Sequence, residues 1–403
     1  MHNTKIFKLQ GKVQHYAWGG SDFIPSLLHV PNAEKKPFAE YWMGAHDNVP
    51  SEVILPNGTQ QPLNAFIKNN TAGILGESVN SRFGRLPYLF KVLDVKDMLS
   101  IQVHPTKKAA ESAFAAENMK GTPLNAPNRN YKDDNHKPEL MLALSDFWLL
   151  HGFKAPQSLV TMLLETPELQ FLVPVFDNKN YHALYELVMT MDQQEVNELL
   201  QPLLDRIVPL YEKGFLNRSQ EDFWAARAAK TFCEPDRIDR GIFSVYFFNL
   251  VNLKPGEAIF QDAGIPHAYL EGQNMEIMAN SDNVLRGGLT NKYIDVPELM
   301  HHTRFEAVTP NVLKGTAGTI TGETVFLTPA ADFELRRLVL KAGTSVVVPA
   351  ATSEIFFVYE GNAQASDGNN TFSLQKGETM LAVAGAAFNL QGDGVVFRAT
   401  VPQ

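Results

Sequence analysis

The chain has 403 residues, of which 44% are hydrophobic and 20% charged, with a formal net charge of −9. That length exceeds one ordinary core and points to two or three domains of a soluble globular protein. The negative balance excludes a general nucleic-acid binder, which carries a basic stripe, but leaves room for an anionic small substrate held by a few local cations.

The segment Met1 to Lys8 (MHNTKIFK) contains no apolar run of signal-peptide length, and no uncharged apolar stretch is long enough to cross a bilayer. Cys233 is the only cysteine, so neither an intrachain disulfide nor a multi-thiolate metal site is available. These features predict a cytoplasmic protein with no membrane partner.

Up to about residue 106 the pattern is short, β-branched and punctuated by turns. Val53 to Leu55, before the turn Pro56 to Gly58, reads as a strand, as does Leu89 to Leu93. Ser100 to His104 reads as a further strand closed by Pro105. Lys107 to Glu117 is rich in Ala and charge and predicts a helix, followed by loop composition from Asn125 to Asn135 and a strand at Met141 to Leu144.

Character changes near Ala155. Leu184, Leu187, Val188 and Met191 recur at helical spacing, as do Val196, Leu199, Leu200, Leu203, Leu204 and Ile207. Pro174, Pro202 and Pro209 are expected to end or kink individual helices. Strand signals return at Ile242 to Leu250, and from about residue 320 the tail is all-β. Its turn signals are Ala342-Gly343, Glu360-Gly361, Asp367-Gly368 and Lys376-Gly377.

Leu253 to Glu257 (LKPGE) is echoed by Leu340 to Thr344 (LKAGT), each followed by strand residues and later by a glycine, Gly272 or Gly361. That weak repeat suggests two copies of a jelly-roll barrel. The second contains no histidine after His302, so it cannot build a histidine metal site. The expected architecture is mainly β with a helical insert. Residues 1–154 and 241–318 form a discontinuous metal-binding domain, 155–240 the insert, and 319–403 a C-terminal β domain without metal.

Gln102 and His104 stand two apart, so on a strand their side chains leave the same face. With Glu139 and His267 they read as one metal site of two imidazoles and two oxygen donors. Such a set suits Zn²⁺, with Mn²⁺ or Co²⁺ chemically acceptable, and acts as a Lewis acid rather than a structural staple.

The blocks around these residues resemble the type I mannose-6-phosphate isomerases, zinc enzymes of the cupin superfamily. They are Tyr16 to Gly19, Ala39 to His46, Leu86 to Leu93, Leu99 to Pro105, His136 to Glu139, Pro266 to Tyr269 and Glu276 to Lys292. They run in the family's order over roughly residues 10 to 300. The resemblance implies two cupin-like barrels plus a helical domain, and interconversion of mannose 6-phosphate and fructose 6-phosphate through a cis-enediol. It also implies that Gln102, His104, Glu139 and His267 bind one zinc ion and that Arg286 is the active-site arginine. A phosphorylated hexose is the expected partner, and a monomer the expected state. The alternative is a non-catalytic sugar-phosphate-binding cupin.

Around that set, Arg286 precedes two glycines and suits stabilisation of an enediolate. Lys137, two residues before Glu139, would face the metal side. There its pKa should fall and leave an amine able to take a proton, or it serves as a substrate hydrogen-bond donor. His136 is a candidate for assisting ring opening, and Glu276 is a second candidate base. Glu276 and Asp282 are also candidate partners orienting His267 or Arg286. Ser100, Lys91 and Lys292 are candidate phosphate contacts, and Tyr269 a candidate pocket floor. Trp18, Glu40 and Trp42 are expected to shape the site by packing and hydrogen bonding.

Overall fold

A computed structural model of the protein describes residues 4–403, so the first three residues of Met1 to Lys8 lie outside the description. The structure is mainly β, with two antiparallel sheets of ten and eleven strands and a set of helices between residues 156 and 247. Among the described residues no helix is long and apolar enough to cross a membrane.

The ten-stranded sheet is organised by one strand of 13 residues, His267–Ala279. It pairs with Tyr88–Val95, Gln102–Val103, Glu139–Ala143 and Phe147–Phe153. All eight residues of Tyr88–Val95 and all five of Glu139–Ala143 are buried, which explains their nearly unbroken apolar sequence. The predicted Ser100 to His104 strand shortens to Gln102–Val103, because Pro105 follows and the segment is pinned between His267–Ala279 and Leu285–Arg286.

The eleven-stranded sheet is built largely from residues after 316, yet it recruits the start of the chain. Ile6–Gln10 lies between Thr379–Ala382 and Glu52–Ile54, whereas the next strand, Lys12–Gln14, pairs with Glu40–Gly44 of the other sheet. One apolar core continues across both sheets, from Tyr88, Phe90, Leu140 and Ile277 to Phe333, Phe357 and Phe397. The echo of LKPGE in LKAGT has a structural counterpart. Each sheet contains a 13-residue strand, His267–Ala279 or Glu354–Ser366, with a register shift before a positive-φ glycine, Gly272 or Gly361.

One expectation is narrowed here and one gives way. Pro202 and Pro209 lie inside one helix of 20 residues, Gln193–Glu212, without ending it. They are seven apart on its exposed face, as are Glu198 and Asp205, so the carbonyls they leave unpaired meet water. The run from Ile242 does not begin as a strand: Gly241–Phe247 is a fully buried helix, and the strand is Phe248–Leu253. A continuous apolar run carries no period to separate the two, and the Asp239 carboxylate accepts from the Gly241 N–H just ahead of the helix.

Within the second sheet Arg398 is buried among carboxylates. Its Nε lies 2.6 Å from Glu354 Oε2 and its Nη1 2.9 Å from Glu323 Oε1. Glu354→Ala is expected to destabilise the protein by about 3–5 kcal/mol by stranding this guanidinium, as read from the midpoint of urea unfolding. A shift below about 1 kcal/mol would show that water or Glu323 alone compensates the charge.

Candidate active site

His104, Glu139 and His267 come together although they stand far apart in the chain; their ligand atoms all lie within 4.8 Å of one another and all three residues are buried. His104 Nδ1 is 2.9 Å from the Asn283 carbonyl, and His267 Nδ1 is 2.9 Å from that of Ile265. A carbonyl only accepts, so each ring donates through Nδ1–H, which in the neutral tautomer leaves an Nε2 lone pair directed inward. Those lone pairs face Glu139 oxygens at 3.3 and 3.4 Å. His104 Nε2 is buried without a hydrogen-bond partner, and burial pushes its imidazole down to about 4. Burial alone would raise the Glu139 carboxyl, but Lys137 and His104 outweigh it and hold it well below the usual carboxylate range. Acceptors confronting acceptors in a dry site are resolved by a divalent cation, so the residues fit a metal.

Gln102, the fourth expected ligand, is placed beside this cluster by its register. It stands directly across from His267 on one side and Arg286 on the other. Two neighbouring spaces share this residue in their walls. An inner chamber of about 50 Å³ is lined by Glu139, His267, Tyr269 and Glu276. An outer cavity of about 600 Å³ is lined by Trp18, Ser100, Asp282, Arg286 and Lys292. Gln102, Lys137, Lys91 and Glu40 border both.

Behind the inner chamber lies a buried chain of charges. Lys91 Nζ sits 3.3 Å from both Glu40 and Glu276 and over the Trp42 ring. Burial opposes its charge, but Glu40, Glu276 and Glu139 outweigh that and raise its pKa. Glu276 also accepts from Tyr269 Oη at 2.9 Å, and burial together with Glu139 raises its carboxyl. Lys91 is therefore engaged by carboxylates rather than free for a phosphate.

Lys137 Nζ has one ion-pair partner, Glu139 Oε1 at 3.2 Å. Asp282 meets His46 Nε2 at 3.1 Å, at the rim of the outer cavity. Arg286 and Lys292 have no ion-pair partner among the described residues, and burial lowers both. Lys292 is lowered further by its proximity to Arg286.

His136 is not brought to either space. Its Nε2 pairs with Asp332 at 2.9 Å, in the loop between Glu323–Phe326 and Glu334–Leu340 of the second sheet, away from both spaces. Other contributors carried no readable signal. Asn283 holds His104 through its carbonyl, while its own side chain is locked by Asp133 and Asn135 carbonyls at 2.8 and 2.9 Å. Thr231 and Phe232, at the end of a helix from the insert, line the outer cavity. Only the tertiary fold places them there.

Residues 6–156 match the family model described as phosphomannose isomerase type I, catalytic domain. The mannose-6-phosphate isomerase of Escherichia coli (strain K12) is 37% identical over 381 residues, 94% of each chain. The chain belongs to the type I phosphomannose isomerase family. The Salmonella typhimurium mannose-6-phosphate isomerase is 38% identical over 97% of this chain and 98% of its own. A solved single-residue variant of the Salmonella phosphomannose isomerase superposes with a TM-score of 0.90 at 34% identity, over 99% of this chain and 100% of that one. A second Salmonella structure, bound to fructose 6-phosphate and zinc, gives 0.89 at the same identity and coverage.

Family membership makes the ligand set directly testable. Glu139→Ala removes the carboxylate between the imidazoles, and metal retained after dialysis is expected to fall at least about tenfold by elemental analysis. Wild-type retention would refute the assignment.

Proposed function

We propose that this chain interconverts mannose 6-phosphate and fructose 6-phosphate, with one zinc ion held by Gln102, His104, Glu139 and His267. The observation that carries the reading is the pair of cations without ion-pair partners among the described residues, Arg286 and Lys292, lining an outer cavity that shares Gln102 and Lys137 with the chamber at Glu139 and His267. A sugar with an anionic end and vicinal oxygens at its other end matches that polarity. Zinc bound there supplies a Lewis acid that polarises substrate oxygens.

The remaining work falls to the chain's own side chains. Lys292 and Ser100 hold the phosphate, with Lys292 acting as a point charge and Ser100 as a hydroxyl donor. Arg286 stabilises negative charge developing on the enediolate oxygens. Lys137, acting as a neutral amine, takes the proton from C2 of the aldose and returns it to C1, while the O2 hydroxyl proton passes to O1, giving the ketose through the cis-enediol. It borders both spaces and has a single partner, whereas Glu276 is already spent on Tyr269 and Lys91 and serves to orient them. Asp282 and its partner His46 shape the rim.

The two sheets fit a pair of cupin-like jelly-roll barrels, 1–154 with 241–318 and then 319–403, with 155–240 as a helical domain. In this reading the first strand is lent to the second barrel. Every site residue comes from one chain, so the proposed catalytic unit is a monomer acting in the cytoplasm on a phosphorylated hexose.

A coupled assay with mannose 6-phosphate tests the reading: chelation abolishes turnover and added Zn²⁺ restores it. Turnover that survives verified metal removal would defeat it. Arg286→Ala is expected to keep its metal and lose about 10²–10³-fold in kcat. Lys137→Met should also lose exchange of the transferred hydrogen with D₂O, while Glu276→Gln retains that exchange. The opposite pattern would transfer the base role to Glu276.

A further inference from the structure

The segment joining the helical insert to the first sheet contains a buried carboxylate that takes no part in the chemistry above. Asp239 is 2% exposed. Its Oδ1 accepts from the Gly241 N–H at 2.7 Å and the Leu289 N–H at 2.8 Å, and its Oδ2 accepts from the Thr290 N–H at 3.0 Å. The first bond is a local one, two residues along the chain, just ahead of the helix. The other two reach a loop fifty residues away that follows Arg286 and leads to Lys292. Arg237 grips the same loop from the carbonyl side, with Nη2 3.4 Å from Thr290 O.

That loop needs holding. Leu289 has φ 52° and is buried, whereas the other non-glycine residues with positive φ, His29, Lys35 and Lys179, are exposed. A leucine in this region is sterically disfavoured and persists only where its surroundings over-determine it. The approach is close: a Cβ at Gly241 would lie 2.5 Å from Leu289 N, and Gly288 has φ 122°. On its other side the loop is tied to the strand carrying Gln102. Ile101 N–H donates to Gly288 O at 3.0 Å, and Gly287 N–H donates to Ile101 O at 2.9 Å.

We infer that Asp239 is a positioning residue for the reaction. It clamps the Gly287–Thr290 turn in a strained conformation, so that Arg286 and Lys292 face the same cavity. The helical insert thereby contributes to the site through its last buried carboxylate as well as through the cavity wall at Thr231 and Phe232. The inference rests on the proposed isomerase reading for its kinetic consequences, but not for the clamp itself.

Asp239→Asn is the informative variant. Its amide oxygen can still accept from Gly241 and Leu289, while its NH₂ confronts the Thr290 N–H. The folded variant should retain wild-type zinc content and lose at least about tenfold in kcat/KM for mannose 6-phosphate. The loss should divide into a lower kcat through Arg286 and a higher KM through Lys292. The inhibition constant of inorganic phosphate should rise in step with KM. A kcat/KM within about twofold of wild type, or a loss that merely tracks lost zinc or lost folded protein, overturns the inference.

Hydrogen exchange on the wild-type holoenzyme decides the matter even if the variant does not fold. The Leu289 and Thr290 amides should exchange at least about 10³-fold more slowly than exposed loop amides. Fast exchange at both removes the clamp. A wild type that fails to turn over mannose 6-phosphate would instead defeat the functional reading, with the exchange result still standing.

Discussion

Backbone pairing along His267–Ala279 is the constraint on which the rest of the site depends. One strand hydrogen-bonds with four partners, so its register fixes the positions of Lys91, Gln102 and Glu139 at once. His267 opens the strand opposite Gln102, and Glu276 lies nine residues on, opposite Lys91. A slip of one residue would reverse every face and dissolve the chamber. The register shift between Tyr269 and Glu271 lets the strand serve two sets of partners along its length.

Electrostatics then gives the two ends of the cavity different character. Deep inside, Glu40 and Glu276 face Lys91 and Glu139 faces Lys137, beside the two imidazoles. Towards the opening, Arg286 and Lys292 have no ion-pair partner among the described residues and share the cavity wall with Asp97 and Asp282. The chain as a whole is acidic, so these two cations are a local device rather than an extension of the surface charge.

The cluster of His104, Glu139 and His267 was legible in the sequence because residue type carries it: two histidines and a carboxylate define donors whatever the fold. The helix at Lys107–Met119 and the strand at Tyr88–Val95 were also legible, from composition and apolar runs. What depended on solvent exposure was not. Pro202 and Pro209 were expected to end or kink helices, and they sit inside one helix on its wet face. Ile242 to Leu250 gave no period by which helix and strand could be told apart. Lys91 and His136 were candidates for phosphate contact and ring opening, and their partners, Glu40, Glu276 and Asp332, are neighbours only in three dimensions.

The placement of Ile6–Gln10 has a consequence for the order of assembly. One of its partners, Glu52–Ile54, is near in the chain, and the other, Thr379–Ala382, is far. Until the distant partner docks, this strand presents an open edge, and the shared core under Phe7 and Leu9 lacks its far wall. Folding of the two sheets is therefore coupled through a pairing of very long sequence separation, the kind of closure that comes late in folding.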